Sequence, residues 1–109
     1  MEELKLYLDF DVAFEQEVNL YPTNQGRIHA WFTIKKKKAK ALGLQGKELL
    51  RVAIQKDGRL SIFERRVQKL EMKTGITFRI NIPKETVQFL GLKHGDTVKI
   101  HLKKLSPLY

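Results

Sequence analysis

Apolar and polar side chains alternate along most of this chain, and that period of two gives a β-strand one face for the core and one for water. Leu4, Leu6, Leu8, Phe10 and Val12 alternate with Lys5, Tyr7, Asp9 and Asp11, which predicts an opening half-buried strand. Residues 13–18 continue it or begin another, and Tyr21-Pro22-Thr23-Asn24-Gln25-Gly26 reads as a loop. A strand over residues 27–34 follows, then a helix over 35–42 with Ala39 and Leu42 facing inward. A helix so short holds only through tertiary packing. Next come a strand over 49–55, a turn at Lys56-Asp57-Gly58-Arg59, and a strand-rich stretch over 60–72 that breaks near Arg65-Arg66.

The clearest pattern occupies residues 74–102. Ile76, Phe78, Ile80 and Ile82 alternate with Thr77, Arg79 and Asn81. Pro83 suits the first position of a helix, where its missing N–H is no loss, and Glu85 lies in the first turn, where the helix dipole favours negative charge. Gly91 provides a left-handed stop that lets Leu92 fold back on Val87. Gly95-Asp96 makes a turn before Val98, Ile100 and Leu102, which alternate with Thr97, Lys99 and His101.

The first half repeats this arrangement. An offset of 48 residues lays Ile28, Ala30, Phe32 and Ile34 on Ile76, Phe78, Ile80 and Ile82. The same offset lays Leu42-Gly43-Leu44 on Leu90-Gly91-Leu92, and Leu50, Val52 and Ile54 on Val98, Ile100 and Leu102. Upstream the offset becomes 49: Phe14, Val18 and Gly26 meet Phe63, Val67 and Gly75. One inserted residue, read as a bulge near the start of the longer strand, accounts for the difference. The chain therefore reads as two repeats, about 12–60 and 61–109, with 1–11 as a closing strand; no linker separates them, so one domain over 1–109 is expected.

The run INIPKETVQFLGLKHGDTVKI closely resembles the core of the SpoVT-AbrB swapped-hairpin DNA-binding domains, and its Gly-Asp pair resembles the GD box of cradle-loop barrels. The resemblance covers roughly residues 74–104. The first repeat departs from it, with Lys35 where the proline stands and Gln45-Gly46-Lys47-Glu48 in place of the Gly-Asp turn. In that family two subunits interleave their hairpins to close a β-barrel. The resemblance thus implies a mainly β fold with two short helices, a swapped-hairpin or cradle-loop barrel formed by an internal tandem repeat, in effect a single-chain pseudo-dimer.

Charge narrows the function classes. Lysine and arginine outnumber acidic residues 21 to 12, a net charge of +9 that attracts polyanions. The chain has no cysteine and therefore neither disulfide nor thiolate metal site, and no apolar run is long enough to span a bilayer. The first ten residues are too acidic and too alternating for a signal peptide. A cytoplasmic, nucleoid-associated protein without membrane partner or cofactor is expected.

The densest basic feature is Lys35, Lys36, Lys37 and Lys38 with Lys40, at the start of a helix where positive charge opposes the dipole. A phosphate there would meet free N–H groups and ammonium ions together. The resemblance implies DNA contacts from the loop before each longer strand and from the adjoining helix. That brings in Arg27 and Lys40 from the first repeat and Arg65, Arg66, Lys69 and Lys73 from the second; Arg79, on the polar face of its strand, completes the candidate set. The footprint should be asymmetric, because Ile76 and Gln88 stand where the first repeat has Arg27 and Lys40.

Trp31 falls on the strand face opposite Phe32 and is expected to pack beneath the N-terminal strand or a long loop; exposed, it would mark a self-association or base-stacking surface. Enzymatic signals are poor. His29, His94 and His101 do not form a spaced metal pair, Asp9 and Asp11 read as a solvated strand edge, and no GxSxG, P-loop or HExxH motif is present. The expectation is a non-enzymatic protein that binds double-stranded DNA, a transcriptional regulator acting as a monomeric pseudo-dimer or a homodimer of it. The alternatives are a protein-interaction module, antitoxin-like or adaptor barrel, and an RNA-binding protein.

Overall fold

Strands form where the period of two predicted them. The computed structural model describes residues 10–106. It is mainly β, with strands β1 (Val12–Glu17), β2 (Asn19–Pro22), β3 (Ile28–Ile34), β4 (Leu49–Lys56), β5 (Arg59–Arg66), β6 (Gln68–Met72), β7 (Gly75–Asn81) and β8 (Thr97–Ser106). Two short helices interrupt them, α1 (Lys36–Leu42) and α2 (Lys84–Leu90). All strand pairs are antiparallel and make two four-stranded sheets, ordered β1-β8-β4-β5 and β2-β3-β7-β6.

The core lies between the sheets. Phe32 and Ile80 come to it from the second sheet, and Leu50, Val52, Ile54, Ile100 and Leu102 from the first, all 0% exposed. Each such side chain stabilises the fold by about 1.5–3 kcal/mol relative to an exposed one. Ala39 and Leu42 of α1 and Leu90 of α2 are also buried, so each helix is held by its apolar side. Both helices end on a left-handed glycine, Gly43 (φ 65°) and Gly91 (φ 61°). The Leu44 N–H donates to Ala39 O and the Leu92 N–H to Val87 O, both at 3.0 Å, which satisfies carbonyls the helix leaves open. Between β4 and β5, Asp57 (φ 50°) and Gly58 (φ 79°) make the primed turn that matches strand twist.

The chain crosses from the first sheet to the second at Val18 and Val67, whose side chains are buried. There the backbone turns to loops instead of strands. Val18 N–H donates to Asp96 O and Gly95 N–H to Val18 O, both at 2.9 Å; Val67 N–H donates to Glu48 O (2.9 Å) and Lys47 N–H to Val67 O (3.0 Å). These bonds continue the β1–β8 and β4–β5 pairings by one residue before the chain crosses. No closed barrel forms among the described residues, and the fold is two facing sheets.

Several sequence expectations shift. Residues 1–9 of the expected closing strand lie outside the described residues, and within them β1 flanks β8. Tyr21 and Pro22 belong to β2, where proline is tolerated because β2 is a sheet edge. The inserted residue is not a bulge: Pro22 pairs with Ile28 and Glu71 with Ile76, so the extra residue lengthens the β2–β3 hairpin loop. The register shift that does occur falls between Leu49 and Leu50. Pro83 stands one place earlier than expected, at the N-cap of α2.

Candidate nucleic-acid interface

The basic residues gather where α1 and the loop after it meet the β6–β7 hairpin. Helix α1 has no acidic residue in its first turn and no side-chain cap, so its lysines stand where the dipole opposes them. Lys35, Lys36 and Lys40 line a cavity of about 360 Å³ with Ile76 and Thr77 of β7. The Lys36 ammonium lies 3.9 Å from where a side chain on Gly75 would begin, which sets it beside the turn carrying Lys73. Next to this cavity lies a second, of about 550 Å³, with Lys47, Lys69 and Arg79 in its walls. Arg66 joins the group by donating to the Lys47 carbonyl at 2.8 Å.

Glu48 shapes the loop that carries Lys47. Its carboxylate, in a residue only 2% exposed, accepts the N–H groups of Gln45 (2.6 Å) and Gly46 (2.7 Å). Charge-assisted bonds of this kind are short and strong, and they hold Lys47 in a left-handed conformation (φ 70°). Gly46 packs so closely on the stem of Lys69 that a Cβ would meet it at 3.2 Å. Asp96 does the corresponding work after α2. It accepts the Lys93 N–H (2.8 Å) and pairs with the Lys56 ammonium (2.7 Å), which also donates to Gly91 O (2.8 Å). The hydrogen bond from Lys56, followed by that from the Lys93 backbone, holds the Asp96 carboxyl below the usual carboxylate range.

Not every candidate joins the cluster. Arg27 lies at the other end of the molecule's repeat pattern, in a cavity of about 500 Å³ with Lys84 and Gln88 of α2. Lys37 is exposed and Lys38 half-buried, and neither lines the α1 cavity. Arg65 is exposed on β5 opposite Leu50. Among the described residues the ion pairs are Arg51–Glu64, Lys56–Asp96 and Lys69–Glu71, the last at 3.8 Å on the surface. The lysines of α1 thus have no acidic partner within the described residues. Lys47 was missed in the sequence because only the tertiary fold brings it against Lys69; its place between Gly46 and Glu48, in the turn replacing Gly-Asp, was the available signal.

Among the described residues no long loop covers Trp31, and residues 1–9 of the expected N-terminal strand lie outside them. Trp31 is half-buried on the outer face of the second sheet, 5.4 Å from the Tyr21 ring, 4.8 Å from His29 and 5.1 Å below the Arg79 guanidinium. His94 closes this group at 4.7 Å from Tyr21, with its Nδ1 accepting the Leu20 N–H (3.1 Å). Asp11 is engaged by the backbone, accepting the Lys104 N–H at 2.9 Å, while Asp9 lies outside the described residues. His101 packs on Phe10 at 5.4 Å and bonds Gln55 at 2.7 Å. No described helix is long and apolar enough to cross a membrane.

No family model matches the chain, and no curated protein matches it. The fold is similar to the solution structure of PHS018 from Pyrococcus horikoshii, with a TM-score of 0.67 and 20% identity, over 94% of this chain and 100% of that one. At that identity the likeness concerns the fold alone.

Proposed function

We propose that this chain is a double-stranded-DNA-binding protein of the transcriptional-regulator kind, non-enzymatic, built from two interleaved copies of one SpoVT-AbrB-like unit. The pairing registers support the two copies. Phe14 pairs with Ile100 and Phe63 with Val52; Asn19 pairs with Trp31 and Gln68 with Arg79. In both cases the offsets of 49 and 48 read from the sequence carry one pair onto the other. Each outer strand of the first sheet pairs with the last strand of the opposite copy, β1 with β8 and β5 with β4. That exchange is what a swapped-hairpin dimer accomplishes between subunits, here within one polypeptide.

The observation that carries the DNA reading is the gathering of Lys35, Lys36, Lys40, Lys47, Arg66, Lys69 and Arg79 on one side of the molecule. A partner offering closely spaced phosphates would neutralise them and release its counterions. Arg27 and Lys84, at the equivalent position of the other copy, offer fewer charges, so the grip is one-sided. Lysines would set phosphate register, and Arg66 and Arg79, with planar guanidinium groups, are the candidates for reading base edges. The test is a gel-shift salt series with random duplex DNA. Affinity falling steeply and linearly on a log–log plot supports the reading; weak binding that ignores salt, with a protein partner recovered by pull-down, replaces it with an interaction module.

A further inference from the structure

The outer face of the second sheet has no role in the lysine grip described above, except at Arg79. In the registers of β2, β3, β7 and β6, no aspartate or glutamate occupies an outward position. The first sheet differs: Glu15 and Glu64 stand on its outer face, the latter paired with Arg51. Among the described residues this strand face is free of acid in a chain with 12 acidic residues. Its β2–β3 part carries three rings, Tyr21, His29 and Trp31, with tilts of 30° and 40° between neighbours. Its β6–β7 part is mostly polar, with Leu70 among the exceptions; Arg79 Nε donates to Gln68 Oε1 (3.1 Å) and Asn81 Oδ1 bonds His29 Nε2 (3.2 Å).

We infer that this face binds single-stranded nucleic acid, with bases stacked along Tyr21 and Trp31 and the backbone phosphates drawn to Arg79 and the adjoining Lys47 and Lys69. Tyr21 is 50% exposed, so its ring has surface available for a base. Aromatic rings accept any base, because every base has a π-face, and a flanking cation holds the strand. Charge complementarity favours this occupant over a second copy of the chain, since the outward positions of this face offer Arg79 no carboxylate to pair with in a self-contact. This face shares Arg79, Lys47 and Lys69 with the duplex grip but not the α1 lysines, and Tyr21 and Trp31 belong to it alone.

Trp31 is the only tryptophan, so its emission reports on this face directly. The experiment titrates the full chain with an oligothymidylate of about 12 nucleotides, within the usual span of a strand-binding surface, and follows tryptophan fluorescence. Quenching that saturates is expected, and Tyr21→Ala and Arg79→Gln should each weaken it by about tenfold, as loss of one stacked base does, with unchanged melting temperature. Quenching by oligouridylate also supports the proposal and shows whether the sugar matters. A Lys35→Gln/Lys36→Gln/Lys40→Gln variant should lose duplex affinity yet keep the quenching, which separates failure of one site from failure of the other. Absence of quenching, or affinity unchanged in Tyr21→Ala, overturns the inference. So does quenching that tracks protein concentration with doubled mass in sedimentation, which reassigns the face to self-association.

Discussion

Replacing Asp96 with alanine removes two contacts that fasten the turn after α2 to the rest of the molecule. One is the Lys93 N–H bond at 2.8 Å and the other the Lys56 ion pair at 2.7 Å. The side chains are 26% and 18% exposed, so water screens the pair only in part. A fully exposed pair contributes under about 1 kcal/mol, whereas hydrogen bonds to a charged group contribute about 1.5–3 kcal/mol. Asp96→Ala should therefore destabilise the fold by about 2 kcal/mol, a fall of about 10 °C in Tm for a domain of this size. The pH dependence has a defined sign. The carboxyl is held below its ordinary value of 3.8 in the fold, so its stabilising contribution is fully present above that value. It is lost as the pH falls through the lower folded value, because protonation then removes the charge that Lys56 and Lys93 address. Thermal melts of both proteins by circular dichroism, from neutral pH to pH about 2, should show the gap narrowing below roughly pH 4. A gap that persists undiminished at the acid end would refute the ion-pair reasoning and point to lost packing.

Three further outcomes follow from the same geometry. Phe32→Ala empties the centre of the core, where the side chain is 0% exposed and packs edge-on to Phe14 at 6.5 Å; denaturant unfolding should register a loss of about 3–5 kcal/mol. Gly91→Ala meets no atom within 4 Å, so only its left-handed φ of 61° opposes it, and the same unfolding assay should show a cost of about 1–2 kcal/mol. The triple change Lys35→Gln, Lys36→Gln and Lys40→Gln should lower the salt slope of duplex binding by about 2–3 if each lysine neutralises a phosphate.

Local chemistry was legible in the sequence and spatial partnership was not. The alternation of Ile28 to Ile34 and Ile76 to Ile82, the glycine stops at Gly43 and Gly91 and the turn at Asp57-Gly58 each depend on neighbouring residues, and each appears where expected. Even Glu48, which looked like a departure from a Gly-Asp turn, supplies the carboxylate that accepts its loop's N–H groups. The partition into two sheets was hidden, because a period of two says which face is apolar and nothing about which strands are neighbours. Proline misled at Pro22, since its cost depends on whether the strand is an edge. For the candidate interface, Lys35, Lys36, Lys40, Lys69 and Arg79 were identified from residue type and position. Arg66 was identified in the same way; the convergence of all these with Lys47, and the separation of Arg27 from them, arise only from the way the β6–β7 hairpin lies against α1.

Amide chemical-shift mapping during titration with duplex DNA tests the central claim most directly. The account predicts that shifts concentrate on residues 35–40, the loop at 45–48 and the β6–β7 hairpin, with weaker effects around Arg27 and Lys84. Equal shifts at both ends, or shifts confined to neither, would contradict a one-sided basic grip on the duplex.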